Sequence, residues 1–181
     1  MIGIADYLDK QLRDYGIKED LSILDFGCGQ GNYTIPIAQI VGGNGKVYVI
    51  DKDKTKLNQL LVIAKKVKVD KTIEILESEG QFDFDLSSES VDLVMLFNVS
   101  CCIIGQDNYP EFQKLIHELH RLTKKDGKLI IGIKEGKTML NRVETGIPLI
   151  SKEFKLDKKE KGKYLDGEKL RNGIFYSLTK K

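Results

Sequence analysis

Two hydrophobic rhythms alternate along this chain. Ile4, Leu8, Leu12 and Tyr15 recur at helical spacing, which predicts an amphipathic helix over 4–15, closed by Gly16. The next apolar run, Leu21-Ser22-Ile23-Leu24-Asp25-Phe26, is short, continuous and followed by glycines, as expected of a buried strand. Helical character resumes over 33–41, where Pro36 falls in a first turn that does not need its missing N–H. A second strand is expected over 46–50, then a helix over 54–68 with Leu57, Leu60, Leu61, Ala64 and Val67 on one face. Residues 72–76 and the almost wholly apolar 91–97 read as strands three and four. Phe112, Leu115, Ile116, Leu119 and Leu122 predict a helix over 109–124, and Asp126-Gly127 a turn into a fifth strand over 128–133. Strand–helix alternation with continuous apolar strands implies a parallel sheet covered on both faces.

Past residue 134 the rhythm changes. A short helix is expected over 138–144, with Pro148 ending any continuation. Residues 154–165 and 173–178 read as two strands joined by a polar connection over 166–172, and with no helix between them they pair most simply as an antiparallel hairpin. No repeat or linker divides the chain, so a single domain over 1–181 is expected.

Composition narrows the function classes. A hydrophobic share of 41% supports a core, and a charged share of 31% supports a solvated surface. No apolar run is long enough to span a membrane, and Met1–Asp6 lacks the basic and apolar regions of a signal peptide, so a cytoplasmic protein is expected. The three cysteines, Cys28, Cys101 and Cys102, suit neither a disulfide framework nor a spaced zinc site. A formal net charge of +2 points to no particular partner, although lysines crowd residues 152–163. Such a run reads as a solvated hairpin, with an RNA contact as the sharper alternative.

The most informative segment is Leu24-Asp25-Phe26-Gly27-Cys28-Gly29-Gln30-Gly31-Asn32, between the first strand and its helix. Parallel sheets bind nucleotides at this point, and glycines let the backbone approach a ligand closely. Asp51 ends the second strand, where a carboxylate can accept from both hydroxyls of a ribose. The dinucleotide fingerprint G-x-G-x-x-G would need glycine at 32, which is Asn, and Asp25 suits a cationic ligand better than a pyrophosphate. No Walker lysine follows the loop.

At these residues the chain resembles the class I, Rossmann-like S-adenosylmethionine-dependent methyltransferases. Asp25-x-Gly27-x-Gly29-x-Gly31 is similar to their first motif and Tyr48-Val49-Ile50-Asp51 to their second. Glu77-Ser78-Glu79-Gly80, Ser90–Val94 through Phe97-Asn98-Val99, and Leu122–Leu129 match later motifs in order and spacing. The resemblance implies an α/β, Rossmann-like three-layer sandwich: a mostly parallel seven-stranded sheet with a C-terminal antiparallel hairpin and helices on both faces. It implies S-adenosyl-L-methionine as cofactor and S-adenosyl-L-homocysteine as product. Carried over by position, Asp25 would orient the loop and approach the methionine ammonium through water, and Gly27, Cys28, Gly29 and Gly31 would carry the backbone beneath the methionine moiety. Asp51 would hold the ribose hydroxyls, Lys52 would lie beside the adenine, Glu79 would accept from the adenine amino group, and Asn98 would add a contact at the end of strand four.

Catalytic residues are not identified. A sulfonium methyl is already electrophilic, so the protein mainly aligns the acceptor and excludes water. Cys101 and Cys102 stand where many small-molecule methyltransferases carry a histidine pair; inert packing, a thiolate, a soft-metal ligand and a substrate contact are all open. His117 and His120, at i, i+3, read as surface residues rather than a metal pair, and no metal is expected. The acceptor is expected to be a small molecule or an exposed protein side chain. Two alternatives stand beside it: an RNA- or protein-modifying enzyme docking through the Lys-rich hairpin, and a non-catalytic cofactor-binding subunit acting with a partner. Nucleic acid is not favoured, no membrane is involved, and the oligomeric state is open.

Overall fold

The computed structural model describes residues 3–76, 82–99, 103 and 109–181. Its elements are α1 (Ile4–Asp14), β1 (Ser22–Phe26), α2 (Thr34–Val41), β2 (Lys46–Ile50), α3 (Lys54–Lys66), β3 (Ile73–Ile75), β4 (Val91–Phe97), α4 (Tyr109–Leu122), β5 (Thr123–Lys134), α5 (Lys137–Glu153), β6 (Phe154–Asp166) and β7 (Lys169–Lys180). The seven strands form one sheet in the order β3-β2-β1-β4-β5-β7-β6. β1 lies between β2 and β4, parallel to both, with Phe26 opposite Ile50 and Asp25 opposite Met95. β7 runs antiparallel between β5 and β6.

Alternate strand residues feed opposite cores. Ile23, Val47, Val49, Leu93 and Met95 pack under Leu8 and Leu12 of α1, Ile37 and Ala38 of α2, and Leu57, Leu60 and Ala64 of α3. Leu24, Val94, Leu96, Leu129 and Ile131 pack on the other face, under Phe112, Leu115 and Leu119 of α4 and Val143 and Ile150 of α5. This is the expected three-layer Rossmann-like arrangement. The sheet order reverses at β1 and β4, and the crevice beyond their carboxyl ends is the ligand-binding position in such sheets.

Three expectations are corrected. Helix α5 does not stop before Pro148 but runs from Lys137 to Glu153 with the proline inside it. Burial of Val143, Gly146 and Ile150 holds the helix together, while Pro148 lies on the exposed side, where the Glu144 carbonyl left without an N–H can meet water. Nor do residues 166–172 form a long connection. Asp166 pairs with Lys169, and only Gly167 and Glu168 make the turn, with Gly167 at φ 60 as a two-residue hairpin requires at its first central position. Finally, β5 begins at Thr123, and Asp126 (φ 61) sits in an irregularity within the strand rather than before it.

β6 is one edge of the sheet, and near its tip side chains cover that edge. The Tyr7 hydroxyl accepts from the Lys163 N–H (2.9 Å), and Gln11 Nε2 donates to the Lys163 carbonyl (3.0 Å). The Tyr33 hydroxyl accepts from the Leu165 N–H (2.8 Å). Backbone groups that an edge strand would otherwise offer to another chain are thereby used. No described helix is long and apolar enough to cross a membrane.

Candidate functional site

The glycine segment is built against the end of β2. Gly27 and Cys28 both donate their N–H groups to the Ile50 carbonyl, at 2.7 and 3.1 Å. Gly29 N–H donates to Asp51 Oδ2 (2.7 Å), and Asp53 N–H to Asp51 Oδ1 (2.9 Å). Gly31 N–H donates back to the Cys28 carbonyl, and the Gly31 carbonyl then accepts from Ile35 in the first turn of α2 (3.0 Å each). Two positions require glycine for different reasons. A Cβ on Gly27 (φ 80) would lie 2.0 Å from Val99 Cγ2. Among the described residues, none other than its chain neighbours has an atom within 4 Å of where a Cβ on Gly29 (φ 57) would stand, so it borders open space.

These bonds decide what the loop can bind. Four of its N–H groups are engaged within the protein, whereas a phosphate needs such donors free. What it offers instead is acceptors. Each oxygen of the half-buried Asp51 already accepts one N–H, and a carboxylate has about four acceptor sites, so two remain for hydroxyl donors. Lys52 is exposed beside it.

Asp25 lies beneath the loop, only 3% exposed, and accepts a 2.6 Å hydrogen bond from the Thr34 hydroxyl. Burial raises its pKa to about 6; the Thr34 bond opposes the shift and the Asp51 charge adds to it. The Cys28 side chain is also buried, and desolvation, then the charges of Asp25 and Asp51, push its thiol upward. It is a neutral packing group, not a thiolate.

Asn98 follows β4 in the left-handed region (φ 56). Its Oδ1 accepts from the Lys134 N–H (3.2 Å), and its Nδ2 donates to the Tyr164 hydroxyl (2.6 Å). Its side chain thus ties β4 to β5 and to the closing hairpin. The fold brings Asp25, Gly27, Cys28, Gly29, Gly31, Asp51 and Lys52 around the ends of β1 and β2, with Asn98 next to the Val99 side chain that covers Gly27. Glu79, Cys101 and Cys102 lie outside the described residues. Among the described residues no group of side chains could hold a metal ion, and His117 and His120 instead face Glu153, each at 3.5 Å.

Sequence reasoning missed three residues here: Tyr33, Thr34 and Tyr164. Tyr33 and Thr34 directly follow the glycine motif, and a polar pair there is a usable signal for groups holding the loop. Nothing local to Tyr164 marks it.

Three of the six lysines of 152–163 are matched by acids. Lys158 pairs with Glu160 (2.6 Å), Lys159 with Glu144, and Lys161 with Glu135 (3.4 Å).

Comparison with known proteins agrees with this geometry. Residues 17–172 match the methyltransferase domain family. A demethylmenaquinone methyltransferase of Alkalihalophilus pseudofirmus is 32% identical over 108 residues, 59% of this chain and 42% of that protein. A probable cobalt-precorrin-6B C(15)-methyltransferase of Saccharolobus solfataricus is 26% identical over 115 residues, 64% of this chain and 53% of that one. The chain thus spans about half the length of these curated relatives. Among solved structures, a SAM-dependent methyltransferase from Aquifex aeolicus superposes with a TM-score of 0.72 at 24% identity, covering 94% of this chain and 89% of that one. With its motifs, its sheet order and the family match over residues 17–172, the chain belongs to the class I, Rossmann-like family of S-adenosylmethionine-dependent methyltransferases.

Proposed function

We propose that this protein binds S-adenosylmethionine over the Gly27–Asn32 loop and transfers its methyl group to a small molecule or an exposed protein side chain, releasing S-adenosylhomocysteine. The observation that carries this is Asp51, fixed by two backbone N–H groups at the end of β2 with acceptor sites to spare. The residues fit the cofactor: the volume beside Gly29 is open, the Asp51 carboxylate keeps acceptor sites for two ribose hydroxyls, and Asp25 sets negative charge beneath the loop for a ligand bearing an ammonium and a sulfonium. When bound, the cofactor supplies an electrophilic methyl group.

The chain's own residues hold and orient. Asp51 accepts from the ribose hydroxyls, and Lys52 lies on the adenine side of it. Asp25 places negative charge beneath the loop and steadies the start of α2 through Thr34. Glu79 is assigned the adenine amino group by position in the sequence, and Asn98 closes the acceptor side of the loop. A small-molecule acceptor is favoured by the names of the relatives, and the pairing of three of the hairpin lysines with acids weakens the case for RNA docking. A short helical connection between β5 and β6 would favour the non-catalytic alternative, whereas α5 spans 17 residues there. A cytoplasmic setting belongs to this reading.

The test is calorimetric titration with S-adenosylmethionine, S-adenosylhomocysteine and NAD. Saturable binding of the first two and not of NAD is expected, reduced in Asp51→Ala by about 1.5–3 kcal/mol, the contribution of hydrogen bonds to a charged group. A folded protein that binds neither adenosyl ligand would overturn the proposal.

A further inference from the structure

The tip of the β6–β7 hairpin does not project freely into solvent. It rests on the carboxyl ends of β4 and β5 and on the start of α2. Glu135, just past β5, donates its N–H to the Asn172 carbonyl (2.9 Å), and Asn98, just past β4, holds the Tyr164 hydroxyl. The remaining support comes from the glycine loop itself. Tyr33 directly follows Asn32, caps the start of α2 and is buried. Its ring packs edge-on against Phe97, the last residue of β4, at 4.6 Å between centroids and 83° between planes. Tyr164 completes the cluster, 6.0 Å from Tyr33 and 6.3 Å from Phe97. From this packed position the Tyr33 hydroxyl reaches the Leu165 N–H at 2.8 Å.

We propose that Tyr33 is a positioning residue for methyl transfer: through its bond to Leu165 it joins the loop that holds the cofactor to the hairpin that walls the acceptor side. The inference rests on the cofactor site proposed above. The neighbouring contacts separate this role from general support of the hairpin. Tyr7 and Gln11 hold Lys163 from α1, which carries none of the proposed cofactor contacts. Tyr33 alone among the three edge-covering side chains belongs to the glycine segment, so a ligand that steadies the loop steadies the hairpin through it. A wall placed in this way would be set only when the donor is bound, which favours cofactor binding before the acceptor. It would also hold water away from the reacting atoms.

The experiment is amide hydrogen exchange on the full chain, with and without saturating S-adenosylhomocysteine, alongside calorimetry and thermal unfolding. In the unmodified protein the ligand is expected to slow exchange both in the loop and across residues 163–172, the latter by about fivefold or more, the lower end of usual coupling between sites. Tyr33→Phe keeps the ring and removes only the hydroxyl. It is expected to remain folded and to bind S-adenosylhomocysteine, with loop protection retained and the ligand-dependent protection of the hairpin lost. Tyr7→Phe, which loosens the same strand from the α1 side, is expected to retain that ligand dependence. A hairpin unaffected by bound ligand in the unmodified protein, or equally protected in Tyr33→Phe, overturns the inference while leaving the cofactor site intact. Absence of binding in calorimetry overturns the cofactor site and the inference with it.

Discussion

The Thr34 hydroxyl donates a 2.6 Å hydrogen bond to the Asp25 carboxylate, and both residues are buried beneath the glycine loop. Asp25 is held there against its preference for water, which raises its pKa to about 6. A carboxyl whose folded-state pKa is raised stabilises the fold at low pH, and this contribution is lost as pH rises through the folded value. Between the unfolded value of 3.8 and about 6 the protein therefore forfeits on the order of 3 kcal/mol, at about 1.4 kcal/mol per tenfold change in proton affinity. Asp25→Asn keeps an acceptor for Thr34 and carries no charge. In denaturant unfolding its stability relative to the unmodified protein is expected to improve from pH 4.5 to pH 7.5, and a constant difference would count against the buried-charge account.

Two glycine substitutions should separate folding from binding. Gly27→Ala forces a Cβ onto Val99 in a left-handed conformation and is expected to destabilise the fold by about 2–4 kcal/mol. Gly29→Ala has open space around it, so only the conformational term of about 1–2 kcal/mol applies to the fold. Its methyl would enter the volume assigned to the cofactor. Thermal unfolding should rank Gly27→Ala as the worse variant, while calorimetry on the folded Gly29→Ala protein should find adenosyl-ligand binding reduced at least about tenfold, the equivalent of ~1.4 kcal/mol.

An ion pair between buried Glu118 and half-buried Arg121 fastens the segment before β4. Glu118 accepts from Arg121 at 2.6 and 2.7 Å and from the Phe84 N–H at 3.0 Å, and Arg121 donates to the Phe84 and Leu86 carbonyls. Burial on its own would raise the Glu118 pKa, but the Arg121 and Phe84 bonds outweigh it and hold the carboxyl below its ordinary range. Its stabilising contribution is present above the unfolded pKa and is lost as pH falls through the folded one, opposite in sign to Asp25. Glu118→Ala removes the partner of a half-exposed arginine that keeps the Phe84 and Leu86 carbonyls, and is expected to cost about 1–3 kcal/mol in denaturant unfolding at pH 7, with a smaller difference in acid.

Pro148 is a local flaw that the fold tolerates. Alanine there restores an N–H toward the Glu144 carbonyl in an exposed helix position. Proline lies about 3 kcal/mol below alanine in helix interiors, but this helix has already adapted and the unfolded chain gains freedom. A net gain of about 1 kcal/mol is expected for Pro148→Ala, raising the melting temperature by about 2–4 °C.

Much of this fold was legible in the sequence because continuous apolar runs bounded by polar residues and glycines have few solutions. Strands Lys46–Ile50 and Val91–Phe97 occur where periodicity places them, and their parallel order carries Asp25, the glycines and Asp51 to one end of the sheet. Local propensity failed where burial or pairing overrode it. Pro148 alone says stop, yet Val143, Gly146 and Ile150 gain more from one continuous helix. Lys169–Asn172 looks like loop because its side chains are largely solvated, and only backbone pairing with 163–166 makes it a strand.

The contacts that tie the glycine loop and β4 to the closing hairpin were beyond the sequence. Asn98 meets Tyr164 across 66 positions, and Tyr33 meets Leu165 across 132. Residue order determined that a glycine loop follows β1 and which carboxylates stand beside it, because those groups lie on consecutive strands. Which wall faces that loop was decided only when the sheet closed with β7 between β5 and β6 and brought the hairpin tip over it. Hydrogen bonds between distant segments leave no periodic trace in the chain, since each partner satisfies its own local rules and the geometry that joins them belongs to the whole sheet.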